Sequence, residues 1–284
     1  MNKVNYFRDN QENVFPIRNS FFTIADCVET MANMPEGIVN TIVTSPPYNL
    51  DKSYGIYNDN RDFSEWENLI DNVAKEAFRI LAPNGSFLLN VSPIPDSKTK
   101  EIIPLDAIAY FIFKKHGYFL RNSIIWHFNN MQNCTNRLSG RWESILWFVK
   151  DINNYKFNLD DIRIPYITKN DKRLVGGTGR NPTDTWNYDI PESDFCYFDR
   201  VNNMTKNKLG ISEHPCVYPT PMIERIIRMT TDVGDVVLDP FLGSGTTLVA
   251  AENLGRIGLG IELDEKFKDM ILRRVTNESV RPLF

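Results

Sequence analysis

Apolar positions along this chain fall into two kinds of run, short unbroken ones and longer ones spaced three or four residues apart, and the two kinds alternate. Phe21-Phe22-Thr23-Ile24-Ala25 stops at Asp26 and predicts a buried strand, followed by a brief helix to about residue 34 and a turn at Pro35-Glu36-Gly37. Residues 38–45 predict the next strand. Trp66, Leu69, Ile70, Val73, Ala77 and Ile80 then recur at helical spacing behind Ser64-Glu65-Trp66-Glu67, which has the form of a capping box; the helix is expected to end near Pro83-Asn84-Gly85. Residues 86–91 predict a third strand, 101–116 a second long helix and 118–128 a fourth strand, to which Trp126 and His127 are assigned. Residues 144–150 predict another strand, reached by a loop too short for a crossover helix, so antiparallel pairing at a sheet edge is expected. The first twenty residues are polar and irregular, and no role is assigned to them.

From residue 151 to about 213 the pattern breaks into Asn, Asp, Gly, Pro and isolated aromatics, with a basic run Lys169-Asn170-Asp171-Lys172-Arg173 and a flexible Gly176-Gly177-Thr178-Gly179-Arg180. So long a connection inside a compact domain reads as a functional insert, because the aromatics Trp186, Tyr188, Phe195, Tyr197 and Phe198 argue against a solvated loop. Regular pattern resumes at Thr220, expected to cap a helix with Pro221 at its first position and Met222, Ile223, Ile226 and Ile227 on one face. A strand over 235–239, a glycine turn, a helix over 246–254 closed by Gly255, a strand over 256–263 and a last helix opened by Asp264 complete the chain. Strand, helix and strand repeated with short connections predict an α/β fold, a doubly wound and mostly parallel sheet of about seven strands with one antiparallel. The domain reading is an extension over 1–20, one half of the sheet over 21–150, the insert over 151–213 and the other half over 214–284.

With 284 residues, 42% hydrophobic and 24% charged, the chain can bury a large core and is not of disordered composition. Its start has no apolar core of signal-peptide length and no run approaches the roughly 18 apolar residues of a membrane span, so a cytoplasmic location and no membrane partner are expected. The four cysteines (Cys27, Cys134, Cys196, Cys216) are scattered with no CxxC pair, which suggests neither a zinc site nor a disulfide framework. A net charge of −4 argues against indiscriminate coating of nucleic acid and makes any such contact regional.

Two strand ends carry candidate chemistry. Ser45-Pro46-Pro47-Tyr48 halts the strand over 38–45, since two prolines cannot continue a ladder, and leaves a hydroxyl, backbone carbonyls and one ring at what should be the carboxyl edge of the sheet. Asp239-Pro240-Phe241-Leu242-Gly243-Ser244-Gly245 is a glycine turn that lets backbone approach a ligand and aims helix amides at an anion. It is neither a P-loop nor a complete GxGxxG, because Leu248 stands in the third glycine's place. It retains an acid at the strand end and a second acid, Glu262, roughly 20 residues on, where a ribose can be held. A parallel sheet brings both turns to one edge.

These features resemble the S-adenosylmethionine-dependent DNA amino-methyltransferases of restriction-modification systems, in the permuted order called the beta class. Ser45-Pro46-Pro47-Tyr48 is similar to the catalytic motif, and Asp239 to Thr247 to the cofactor motif, with Gly243, Ser244, Gly245 and Thr246 in the turn. Ala25-Asp26-Cys27 is similar to the Gly-Asp-Cys of many members, which places Asp26 against the adenine amino group. His214-Pro215 and Tyr218-Pro219 are similar to the segment lining the methionine end, and residues 141–150 to the late-strand motif. The resemblance implies a Rossmann-like methyltransferase fold, S-adenosylmethionine as cofactor with S-adenosylhomocysteine as product and no metal, and double-stranded DNA as partner. It also implies a target-recognition role for 151–213, a possible separate cognate restriction endonuclease, and a monomer or homodimer.

The implied mechanism flips a base, stacks it on Tyr48, and holds its amino group against the Ser45 hydroxyl and the Pro46 carbonyl for in-line methyl transfer. Members with Ser before Pro-Pro mostly methylate cytosine N4, whereas Asp or Asn there mostly goes with adenine N6. The rivals are methylation of RNA or of a protein amide, and a non-catalytic DNA-binding relative. Arg137 and Trp142 either approach the flipped base or pack, and Lys172, Arg173 and Arg180 either contact phosphates or are solvated.

Overall fold

A computed structural model describes residues 13–48, 53–54, 57–58, 63–96, 98–128, 134–164, 179–186, 201, 203–211 and 217–279. Among the described residues nine strands form one sheet: β1 (Val14–Ile17), β2 (Ser20–Ile24), β3 (Val39–Thr44), β4 (Leu81–Val91), β5 (Phe119–His127), β6 (Trp142–Val149), β7 (Thr185–Trp186), β8 (Val236–Asp239) and β9 (Ile257–Glu262), in the order β1-β2-β9-β8-β3-β4-β6-β5-β7. The run from β2 through β4 is parallel. Strand β6 runs antiparallel to both neighbours, so β5 again points the same way as β4.

Seven helices accompany it among the described residues: α1 (Cys27–Ala32), α2 (Phe63–Ile80), α3 (Leu105–Lys115), α4 (Asn203–Leu209), α5 (Thr220–Thr230), α6 (Thr246–Asn253) and α7 (Lys268–Glu278). Successive strand residues face opposite sides, and the sequence supplies an apolar group for each. Phe87 and Leu89 of β4 pack with Trp66, Ile70 and Val73 of α2 and Phe113 of α3, while Leu88 packs with Met222, Ile223 and Ile226 of α5. Leu248 and Val249 of α6 meet Met270, Ile271 and Val275 of α7 over Phe22 of β2. Each such fully buried side chain contributes about 1.5–3 kcal/mol of transfer free energy.

The doubly wound, mostly parallel sheet agrees with expectation, and the differences have local causes. Two short strands extend seven to nine. One is β1, within the opening residues that carry no role in the sequence pattern; it pairs antiparallel with β2, and Pro16 is exposed there, as an edge strand permits. The other is β7, which adds to β5 in parallel. Strand β6 is internal rather than at an edge, because the short loop makes it the inner partner of a hairpin whose outer strand is β5.

Helix α2 starts at Phe63, so Ser64 lies inside the first turn and does not cap it in the expected way. Strand β4 begins directly at Leu81, with a register shift opposite Val39 and Thr41, and runs through Pro83-Asn84-Gly85. Gly85 is required there: a Cβ would lie 2.9 Å from the Ala82 carbonyl oxygen. Helix α3 starts at Leu105 instead of 101 because Pro104 disfavours helix in the residue before it, and Ile102–Ile103 instead pairs with Ile94–Pro95. Pro219, not Thr220, is the cap of α5.

Parts of the pattern-poor segment lie on this same sheet. Ile162, in a 3-10 turn (Leu159–Ile162), and Trp186 are buried beside α5, and Ile164 and Arg180 exchange two backbone hydrogen bonds of 3.0 and 2.7 Å. Ile211, after α4, is buried beside α6 and α7.

Candidate active site

The carboxyl ends of β2, β3, β4, β5, β8 and β9 and the amino end of β6 share one edge, and a cavity of about 1050 Å³ runs along it. Asp26, Ser45, Pro46, Pro47, Tyr48, Pro240, Phe241, Gly243, Ser244, Thr246 and Glu262 line it, as do Arg137 and Trp142. Asp239, Gly245 and Thr247 stand behind this lining rather than in it. Arg180 is away from the cavity, half-buried and tied through its backbone to Ile164. His214, Pro215, Lys172 and Arg173 lie outside the described residues.

The turn after β3 is anchored from a distance. Ser45 Oγ donates to the Tyr48 hydroxyl at 3.0 Å, and that hydroxyl has the Asn90 carbonyl at 3.0 Å and Glu143 Oε2 at 3.3 Å as acceptors for its single proton. Asn90 Nδ2 donates to Glu143 Oε2 at 2.7 Å and reaches the Tyr48 hydroxyl at 3.2 Å. The Trp66 indole N–H donates to the Pro47 carbonyl at 2.8 Å, whereas no described residue donates to the Pro46 carbonyl. The turn therefore presents a hydroxyl and a carbonyl as acceptors, with the Tyr48 ring beside them. Sequence reasoning does not find Asn90 and Glu143. Their signal is faint: Asn90 is the one polar side chain within Phe87–Val91, and Glu143 the one acid between Arg141 and Lys150.

The turn after β8 is anchored by Asp239, which is fully buried and accepts from Thr44 Oγ1 (2.6 Å), Thr247 Oγ1 (2.6 Å), the Tyr218 hydroxyl (2.9 Å) and the Phe241 amide (3.1 Å). Burial pushes its carboxyl upward, and the four donors oppose that shift. Burial, with Asp239 alongside, holds the Tyr218 hydroxyl well above its ordinary range, so it stays a donor. Gly243 (φ +54°) and Gly245 (φ +83°) adopt left-handed backbone that favours glycine.

Glu262 receives the Gly243 amide at 2.8 Å and the Asp264 amide at 3.0 Å, and burial raises its carboxyl to about 7. Asp26 caps α1 through Oδ1, which accepts the Val28 and Glu29 amides at 2.8 and 3.0 Å; Oδ2 takes no part in the cap. Arg274, also absent from the sequence reading, is 2% exposed beneath the glycine turn and donates to Thr246 Oγ1 at 2.8 Å and the Ser244 carbonyl at 3.2 Å, with Glu278 as its counter-ion at 3.2 Å. In sequence it is one of two adjacent arginines in an amphipathic helix, which gives no hint of burial.

At the other end the lining is aromatic. Trp126 is buried in β5, as its strand assignment requires, and also lines the cavity with Phe128, their rings 5.0 Å apart. Trp142 is 38% exposed and Leu138 92% exposed beside Arg137 at the same rim. Among the described residues no helix is long and apolar enough to cross a membrane.

Residues 39–273 match a family model described as DNA methylase, of the N6/N4 methyltransferase type, and the chain belongs to that family. It is 34% identical over 262 residues to the type II methyltransferase M.BglII of Bacillus subtilis, covering 89% of this chain and 68% of that protein. It is 28% identical over 254 residues to the DNA adenine methyltransferase YhdJ of Escherichia coli, covering 88% and 80%. Among solved structures, TTHA0409 of Thermus thermophilus in complex with S-adenosyl-L-methionine superposes with a TM-score of 0.64 at 29% identity, over 93% of this chain and 96% of that one. The cytosine-N4-specific PvuII DNA methyltransferase shares the fold with a TM-score of 0.68 at 22% identity, over 90% and 86%.

Proposed function

We propose that this protein transfers a methyl group from S-adenosylmethionine to the N4 amino group of a cytosine flipped out of duplex DNA. The observation that carries the reading is the bond between Thr44 and Asp239, 195 residues apart in sequence, which fixes the Ser45–Tyr48 turn beside the glycine turn on one cavity. The residues present fit the cofactor. Asp26 Oδ2 suits an adenine amino group, the Glu262 carboxylate suits ribose hydroxyls, and Ser244 and Thr246 with their underlying Arg274 suit a carboxylate. When bound, the cofactor supplies an electrophilic methyl group. TTHA0409, which binds S-adenosyl-L-methionine, supports the assignment.

The Ser45 hydroxyl and the Pro46 carbonyl accept the two hydrogens of the target amine and draw its lone pair out of conjugation with the ring. Tyr48 stacks on the base, and the Asn90 and Glu143 bonds to its hydroxyl fix the plane of its ring. Holding the reacting atoms in line supplies most of the rate enhancement. Residues 151–213, with Arg137 and Trp142 at the rim, read the target sequence, and any restriction endonuclease is a separate chain.

Cytosine is favoured by Ser at position 45 where other members carry Asp or Asn. Adenine N6 is the second reading, favoured by the likeness to an adenine methyltransferase. Methylating defined duplexes with labelled cofactor and digesting them to nucleosides is the test. Label in N4-methylcytosine is expected, label in 6-methyladenine overturns the cytosine reading, and unlabelled DNA overturns both.

A further inference from the structure

We propose that Glu143 is the terminal acceptor of the proton released by the target amine, which reaches it through the hydroxyls of Ser45 and Tyr48; this rests on the catalytic reading of the Ser45–Tyr48 turn given above. The hydroxyl of Ser45 is 3.0 Å from that of Tyr48, which is 3.3 Å from Glu143 Oε2. Asn90 Nδ2 bonds both the Tyr48 hydroxyl (3.2 Å) and the same Glu143 oxygen (2.7 Å), so it clamps the last two members together. The three members come from the end of β3 and the start of β6, with the clamp on β4 between them. A stacking ring alone needs no buried amide and half-buried carboxylate at its hydroxyl.

The chemistry requires an acceptor. As the nitrogen lone pair forms the new N–C bond, the methyl group's old bond breaks with its electron pair left on sulfur, and the nitrogen is left cationic with two hydrogens. A serine hydroxyl is too weak a base to keep one of them. It can pass a proton on: the nitrogen gives a proton to Ser45 Oγ, Ser45 gives its own to Tyr48, and Tyr48 gives its own to Glu143. The two hydroxyls end neutral, Glu143 ends as a carboxylic acid, and it discharges its proton to solvent. Glu143 therefore acts through Tyr48 and Ser45 and is a positioning and proton-accepting residue rather than one that touches the base.

Other ionisable groups surround this end of β6. Asp106 of α3 accepts the Ser144 hydroxyl at 3.0 Å, His127 of β5 is the register partner of Trp142, and the preceding loop carries Arg137 and Arg141. Asp106→Asn is the control for assigning a pH dependence to Glu143.

The experiment is single-turnover methyl transfer from about pH 3.5, below the ordinary carboxylate range, to about pH 9, at saturating S-adenosylmethionine and duplex DNA. It compares the wild-type protein, Glu143→Gln, Tyr48→Phe and the double variant, with dissociation constants for both ligands measured in parallel. The wild-type rate is expected to fall on the acid side, where a protonated Glu143 cannot accept. Each single variant is expected to lose about 10²-fold, within the usual range for general acid–base catalysis, and to lose the acid limb with it. Both should keep their dissociation constants, and the double variant should be no slower than either single one. Asp106→Asn should keep the acid limb.

A wild-type rate and acid limb in either Glu143→Gln or Tyr48→Phe overturns the relay, as do losses that multiply in the double variant. Tyr48→Phe removes one oxygen from a half-buried ring and carries the test alone if Glu143→Gln does not fold. Ser45→Ala separates the two readings: if it is inactive while the relay variants behave as wild type, the site reading stands and the relay falls. If Ser45→Ala is fully active, the site reading itself falls.

Discussion

The two turns that meet at the cavity are held in contrasting ways. The glycine turn is made from one stretch of chain: the Gly245 amide bonds the Leu242 carbonyl at 3.0 Å, the Leu242 amide the Ile261 carbonyl at 2.9 Å, and the Gly243 amide Glu262 at 2.8 Å. All of these lie within the continuous stretch from β8 through the turn and α6 to β9. The Ser-Pro-Pro-Tyr turn has two prolines, so it cannot brace itself with backbone donors, and its side chains and carbonyls reach outward to Trp66, Asn90 and Glu143, respectively 19, 42 and 95 residues from their partners. The backbone shape of one turn is a property of a segment, while the other turn is a property of the whole sheet. The first takes its form within its βαβ unit and is then tied to the rest by Thr44 and Tyr218 at Asp239 and by Arg274 beneath Ser244 and Thr246; the second exists only when β3, β4 and β6 are in register.

The sharpest way to break the contrast is at Asp239, the point where the turns are joined. Asp239→Ala leaves the buried hydroxyls of Thr44, Thr247 and Tyr218 and the Phe241 amide without their acceptor. A loss of about 3–5 kcal/mol is expected, since several buried neutral donors lose their acceptor at about 1–3 kcal/mol each, read as a lower urea midpoint. Cofactor binding and methyl transfer should fail together. Unimpaired transfer at saturating cofactor would show that the two turns are independent.

A pH titration perturbs one turn and spares the other. Burial raises the Glu262 carboxyl from 4.5 to about 7, against the backbone amides of Asp264 and Gly243 that favour its charge. Since the folded protein then binds a proton that the unfolded chain has released, the stability of the cofactor-free protein is full below about pH 4.5 and falls as pH rises to about 7. The shift corresponds to about 3 kcal/mol at most. Cofactor hydroxyls that donate to Glu262 favour its ionised form, so affinity for S-adenosylmethionine should rise over the same window. Calorimetry between pH 5 and 8 should show both trends, and Glu262→Gln should flatten both. A pH-independent affinity in the wild type would remove Glu262 from cofactor binding.

The same contrast decides what is legible in the sequence. Strand and helix order, the parallel sheet and the two turns at one edge follow from local runs: Val43, Leu88 and Val237 are buried on one face and Ile42, Leu89 and Leu238 on the other, as unbroken apolar strands require. What is not legible depends on partners distant in sequence. Nothing near Asn90 or Glu143 marks them as companions of Tyr48, nothing near Arg274 marks it as buried, and β6 looks like an edge strand until β5 and β7 are placed outside it. The α3 start departs from expectation because Pro104 disfavours helix in the residue before it and Ile102–Ile103 pairs with Ile94–Pro95, and β4 departs because pairing with β3 overrides the turn signal of Pro83-Asn84-Gly85.

The mildest test addresses the remaining outward tie. Trp66 is 1% exposed and stacks on Phe63 at 5.5 Å, so its ring belongs to the core, and its N–H, 2.8 Å from the Pro47 carbonyl, is its hydrogen bond to the catalytic turn. Trp66→Phe keeps an aromatic ring in the core and removes that donor, at an expected cost of about 1–2 kcal/mol from the lost bond and the smaller ring. The Pro47 carbonyl, no longer held, lets the Pro46 carbonyl drift from its angle to the target amine, and a several-fold fall in kcat should follow. Affinity for S-adenosylmethionine should not change, because no described hydrogen bond links α2 to the glycine turn. Equal losses in kcat and in cofactor affinity would mean that the two turns move as one body. In that case their different construction would matter for folding but not for catalysis.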